Sequence, residues 1–164
     1  MQKKEITIEV RVFDNASGLQ PDEQQLVKKA IEAAKKAYAP YSGFFVGAAL
    51  LLGNGEIIQG NNQENAAYPS GICAERVALF YANSRYPQTP ISTIAVTAFS
   101  KRGMIREPVP PCGSCRQALL ESELRFNTPI RLIMVGKDKI YSVDDIKSLL
   151  PLNFGNDFLE NHGK

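Results

Sequence analysis

All three cysteines of this 164-residue chain fall in two short motifs, and that distribution limits the fold more than any other feature. The first motif, "SGICAERVAL", holds Cys73 with Glu75 two positions on. The second, "PVPPCGSCRQALL", holds Cys112 and Cys115. Each motif opens a segment with helical character, so a fold that uses the thiols together must bring two helix N-termini to one point. An odd number of cysteines cannot pair completely within the chain, and cytosolic thiols stay reduced.

Zinc binds thiolate well and favours tetrahedral coordination. Structural sites close with four protein ligands; catalytic sites use three and leave the fourth position to water. Cys73, Cys112 and Cys115 supply three soft ligands, while the single histidine, His162, lies in a polar C-terminal tail. A three-thiolate site with an open position is the favoured reading. Three thiolates overcompensate one Zn²⁺, and the partial positive charge at helix N-termini offsets the excess. Arg76 could donate to ligand sulfur and tune the metal's charge further. Glu75, beside a ligand without being one, could take a proton from water and pass it on. Other readings stay open on the residues alone. Cys112 and Cys115 could form a redox dithiol, His162 could complete a closed structural site, or the thiols could be three unrelated buried groups. Glu75 could be a first-turn carboxylate favoured by the helix dipole.

Along the chain, "KKEITIEVRVF" alternates with Ile6, Ile8, Val10 and Val12 on one side, which predicts a strand. Pro21 opens a helix over 21–38, ended by Pro40. "FFVGAALLLGNGEIIQGN" predicts a hairpin about Asn54 and Gly55. Further elements are a helix over 73–84, a buried strand over 91–100, a helix over 113–124 and a strand over 129–136. "SVDDIKSLL" predicts a short helix capped by Ser142. This order gives the α/β class, with helices covering a mixed sheet.

Composition narrows the partners. A hydrophobic fraction of 44% with 22% charged residues is that of a globular domain. No apolar run reaches the roughly 18 residues of a membrane helix, and the N-terminus lacks the apolar region of a signal peptide. A cytoplasmic location is the default expectation. A net charge of +2 gives no electrostatic footprint for nucleic acid.

C-A-E followed by P-C-x-x-C resembles the zinc nucleoside deaminase signature. With the anchors "YAPYSGFFVGAAL", "GNNQENAAYPSGICAERVAL", "PPCGSCRQAL" and "LLPLNFG", residues 21–158 resemble the short, homotetrameric, zinc-dependent cytidine deaminase family. The resemblance implies a three-layer α/β/α fold with a mixed sheet of about five strands, plus an extra N-terminal strand. It implies one domain over 1–164, with an extension over 1–20 and a core over 21–158. It implies one Zn²⁺ per subunit on Cys73, Cys112 and Cys115, and hydrolysis of cytidine and deoxycytidine in pyrimidine salvage, by attack of zinc-activated water at C4. Glu75 would shuttle the proton to ring N3 and then to the departing amine. Asn62 and Glu64 would bond the ribose hydroxyls, Phe44 would pack on the pyrimidine, and the backbone of Ala74 would contact the base. Tyr68 and Phe154 would help close a pocket shared between subunits of a homotetramer. Without the resemblance, Asn62 and Glu64 could be ordinary surface residues, and Phe44 and Phe154 could be core. A carboxylate at the sugar would repel a nearby phosphate, which favours a free nucleoside. The alternatives are a deaminase of another aminopyrimidine such as blasticidin S, or a zinc-stabilised binding module without chemistry. The N-terminal strand and the loops over 86–90 and 101–110 depart from the usual pattern.

Overall fold

The computed structural model describes residues 1–160; His162 lies outside them. Its strands are β1 (Arg11–Phe13), β2 (Phe45–Leu52), β3 (Ile57–Asn61), β4 (Ile91–Ser100), β5 (Gly103–Met104), β6 (Arg131–Val135) and β7 (Ile140–Val143). Its helices are α1 (Pro21–Ala34), α2 (Ala74–Arg85), α3 (Gly113–Phe126) and the single turn α4 (Asp157–Glu160). The strands form one mixed sheet in the order β1-β7-β6-β4-β2-β3, with β5 paired to β4. The β4–β6 pair is parallel, because α3 crosses between them, while the remaining pairs are antiparallel.

Side-chain alternation along the central strands divides the core into two layers. Leu50, Ile94, Val96, Leu132 and Met134 pack with Ala78, Leu79, Leu119 and Leu120 of α2 and α3. Ala49, Ala95, Ile133 and Val135 pack on the other face with Leu26, Val27 and Ala30 of α1. This is the expected three-layer arrangement, with five core strands, the N-terminal β1 and the two-residue β5.

Two glycines set how closely the layers approach. A Cβ on Gly47 would lie 2.1 Å from the Ala30 carbonyl oxygen of α1, and one on Gly60 would lie 2.4 Å from the Ala74 oxygen and 2.6 Å from the Ala78 nitrogen of α2. Glycine is needed at both positions so that helix backbone can rest directly on the sheet. The hairpin turn between β2 and β3 uses Gly55 at φ 86°, as the Asn54-Gly55 pair predicts.

Three local expectations are corrected. The N-terminal strand is hydrogen-bonded only over Arg11–Phe13, because β7 offers four residues of edge; Ile6, Ile8 and Val10 stay exposed. Helix α1 ends at Ala34 rather than 38. The Tyr38 backbone instead pairs with the chain beyond β3, donating to the Asn62 oxygen at 3.0 Å and accepting from the Glu64 N–H at 2.9 Å. Ser142 caps no helix. It is buried in β7, which pairs with β6 through Ile133, and the expected helix shrinks to a 3-10 turn over Lys147–Leu149. The N-cap of that turn is Ile146, and the preceding Asp145 accepts from the Ser148 N–H at 2.7 Å.

The Gly60→Ala variant should lose about 1–3 kcal/mol of stability through forced displacement of α2. Urea unfolding would measure it, and a midpoint equal to wild type would contradict the close approach.

Candidate active site

Cys73 is the N-cap of α2 and Cys112 the N-cap of α3; Cys115 lies in the first turn of α3. Neither N-cap thiol caps its helix, which leaves the sulfurs available to a ligand. The helices start with the Val77 N–H on the Cys73 carbonyl at 3.0 Å and the Arg116 N–H on the Cys112 carbonyl at 2.9 Å. Packing of both helices on one face of the sheet brings the three sulfurs within 4.8 Å of one another. The Cys73 and Cys112 sulfurs are 3.8 Å apart, and all three cysteines are free. Two sulfurs bound tetrahedrally at about 2.3 Å from one zinc would lie about 3.8 Å apart. The donor set and its spacing therefore fit zinc.

Arg76 Nη2 donates to the Cys73 sulfur at 3.5 Å, while its Nε is buried and has no partner among the described residues. The Cys73 thiol is drawn down to about 5, chiefly by a hydrogen bond from Cys115, with Arg76 adding to it against burial. The Cys115 thiol is pushed up by its bond to Cys73, by burial and by the Glu75 charge. One sulfur thus ionises readily, and further negative charge needs a cation.

Glu75 is 5% exposed and lines a cavity of about 770 Å³, which Cys73, Ala74, Arg76 and Cys112 also line. Burial holds its carboxyl above the usual range, and the Cys73 charge pushes it the same way. A buried carboxyl that keeps its proton more readily than a surface one suits proton transfer.

Phe44, Asn62, Glu64 and Tyr68 line the same cavity. The Asn62 side chain bridges the backbone at the start of β2, accepting from the Val46 N–H at 2.7 Å and donating to the Phe44 carbonyl at 2.9 Å. That strut fixes the segment carrying the Phe44 ring. Glu64 accepts from the Tyr41 N–H at 2.8 Å, the Ser42 N–H at 3.2 Å and the Ser42 hydroxyl. These bonds, the Ser42 hydroxyl foremost, hold its carboxyl below the usual range. Tyr68 is largely exposed and meets Tyr41 edge-on, with ring centroids 6.1 Å apart.

Phe154 is not brought to the cavity of its own chain. Its ring stacks on Phe158 at 5.8 Å, and Gln117 donates to its carbonyl at 3.0 Å. Tyr41, Ser42, Ile72, Val96, Val109 and Pro110 are cavity residues that the sequence did not single out. The signal for Ser42 was a hydroxyl directly before Gly43, a turn-forming pair inside an anchor motif.

Residues 20–127 match the sequence model of the cytidine and deoxycytidylate deaminase zinc-binding region. A cytidine deaminase of Halalkalibacterium halodurans is 52% identical over 100 residues, covering 61% of this chain and 71% of that protein. One from Mycobacterium tuberculosis is 36% identical over 141 residues, covering 84% of this chain and 93% of that protein. The crystal structure of cytidine deaminase from Burkholderia pseudomallei superposes with a TM-score of 0.69 at 35% identity, covering 79% of this chain and 97% of that one.

Zinc removal should make the thiols unequal. At about pH 6, iodoacetamide should alkylate Cys73 ahead of Cys115 in metal-stripped protein, and zinc should protect both. Peptide mass mapping would show it; faster labelling of Cys115 would contradict the charge distribution.

Proposed function

The chain belongs to the cytidine and deoxycytidylate deaminase zinc-binding family, and on that premise we propose that its cavity hydrolyses cytidine and deoxycytidine to uridine and deoxyuridine, releasing ammonia. The observation that supports the reading is the buried Glu75 carboxyl in one cavity with Cys73 and Cys112, whose sulfurs converge with that of Cys115. Cys73, Cys112 and Cys115 hold the zinc, which when bound lowers the pKa of water toward about 7. Glu75 accepts the proton that water gives up and delivers it to ring N3 as oxygen adds to C4. It then carries the second water proton to the amino group. The C4–N bond breaks, ammonia leaves, and C4 becomes a carbonyl carbon. Arg76 trims the charge on the Cys73 sulfur. Phe44 packs on the pyrimidine, the Ala74 backbone contacts the base, and Asn62 and Glu64 bond the ribose hydroxyls.

The lining charges favour a free nucleoside over a nucleotide. Among the described residues Arg76 is the one cation lining the cavity, and it donates to Cys73. Glu64 at the sugar end opposes a phosphate.

A homotetramer with shared sites is the assembly we infer. Its support is the exposed aromatic surface of Phe80 and Tyr81 on α2, with Tyr68 exposed along the cavity lining and Phe154 exposed away from the cavity of its own chain. Residues 21–158 form the deaminase core and 1–20 an extension of the same single domain. Among the described residues no helix is long and apolar enough to cross a membrane. Three free thiols support a reducing, cytoplasmic setting.

In the Glu75→Gln variant, kcat should fall by about 10²- to 10⁴-fold with full zinc content, the scale of a lost general acid–base group. Retained turnover would assign the proton shuttle elsewhere. Across cytidine, deoxycytidine, CMP, cytosine, adenosine and blasticidin S, ammonia release should be confined to the first two. Equal kcat/KM for CMP and cytidine would remove the charge argument, and no release from any of the six would favour a binding module.

A further inference from the structure

We propose that Ser42 is a positioning residue for the sugar end of the site: its hydroxyl fixes the Glu64 carboxylate for the ribose hydroxyls and ties it to the backbone that carries Phe44. The inference rests on the reading of Glu64 as the sugar ligand.

A serine hydroxyl has one donor and two acceptor positions. Ser42 uses the donor on Glu64 Oε1 and accepts from the Phe44 N–H at 3.0 Å. Both contacts fix the hydroxyl rotor, so the proton points at the carboxylate. The other carboxylate oxygen, Oε2, takes the N–H groups of Tyr41 and Ser42 at 2.8 and 3.2 Å. Of the roughly four acceptor positions of a carboxylate, three are filled from one loop, which sets its plane and leaves one for substrate.

Gly43, between Ser42 and Phe44, adopts φ 64°, a left-handed conformation that glycine takes without strain, and the Phe44 N–H reaches back to the Ser42 hydroxyl across it. One hydroxyl therefore joins the two recognition elements: Glu64 at the sugar, and the strand entry that holds the Phe44 ring at the base. Glu64 is otherwise a long, accessible side chain, and holding it in one orientation before binding removes an ordering cost that the substrate would meet. The geometry bears on binding and leaves Glu75 untouched, so its loss should appear in KM.

The test uses the zinc-loaded, full-length protein with four variants: Ser42→Ala, Ser42→Thr, Glu64→Gln and the double Ser42→Ala/Glu64→Gln. Ser42→Ala should raise KM for cytidine about tenfold, the scale of one hydrogen bond to a charged group, with kcat near wild type. Ser42→Thr keeps the O–H and should restore KM. The double variant should be no worse than Glu64→Gln alone, because Ser42 acts through that carboxylate. A purely structural role would give additive losses and a lowered Tm. The proposal is overturned by Ser42→Ala leaving KM unchanged while Glu64→Gln raises it, by additive losses in the double variant, or by a fall in kcat alone. If Glu64→Gln itself leaves KM unchanged, the sugar-ligand reading fails first and takes the Ser42 role with it.

Discussion

Everything chemical in this molecule depends on two helix N-termini meeting over one face of a sheet. Three sulfurs within 4.8 Å would be an unfavourable cluster of ionisable groups without a cation among them. The helix ends reduce that cost with their partial positive charge, and Arg76 adds a formal one. The meeting point is set from below by Gly60, where the absence of a side chain lets α2 sit directly on β3. A metal centre assembled from loops would leave those sulfurs free to drift. Here the hydrophobic layer of Leu50, Ile94, Leu119 and Leu132 packs both helices onto the sheet.

The part of the cavity lined by Asn62 and Glu64 follows a different rule. Its polar groups are held by backbone amides and carbonyls and by the Ser42 hydroxyl rather than by packing. Asn62 braces the entry to β2, and Glu64 is bracketed by the N–H groups of residues 41 and 42. Tyr38 contributes by leaving α1 early to bond the same segment. The irregular stretch between β3 and α2 therefore behaves as a structured part of the site. Polar side chains satisfied on the backbone keep their direction at an exposed edge, where packing would not hold them.

Much of this was legible in the sequence, and the omissions share a cause. Cys73, Cys112, Cys115, Glu75 and the hairpin at Asn54-Gly55 are local patterns in the sequence; the hairpin forms there, and the fold brings the three sulfurs within 4.8 Å of one another. Strand β7 was missed because "SVDDIKSLL" imitates a capped helix. Its pairing with β6, a tertiary contact, overrode that propensity and left Ser142 inside a strand. The alternation of Ile6, Ile8 and Val10 was real, but strand length is decided by the partner, and β7 is short. Ser42 could not be ranked by sequence, since its importance comes from a residue 22 positions away that only folding brings near. Phe154 is expected to help close a pocket shared between subunits, and within one chain it stacks on Phe158 away from the cavity.

The single parallel ladder, β4 with β6, has a consequence for timing. The β2–β3 and β6–β7 pairs join neighbours in the chain and can close early, whereas β6 cannot dock on β4 until the whole crossover through α3 is in place. Cys112 and Cys115 travel on that crossover. On the ribosome Cys73 emerges well ahead of them and must wait, reduced and unshared, until the late segment arrives. Pairing of β6 with β4 and approach of Cys112 and Cys115 to Cys73 thus depend on the same crossover.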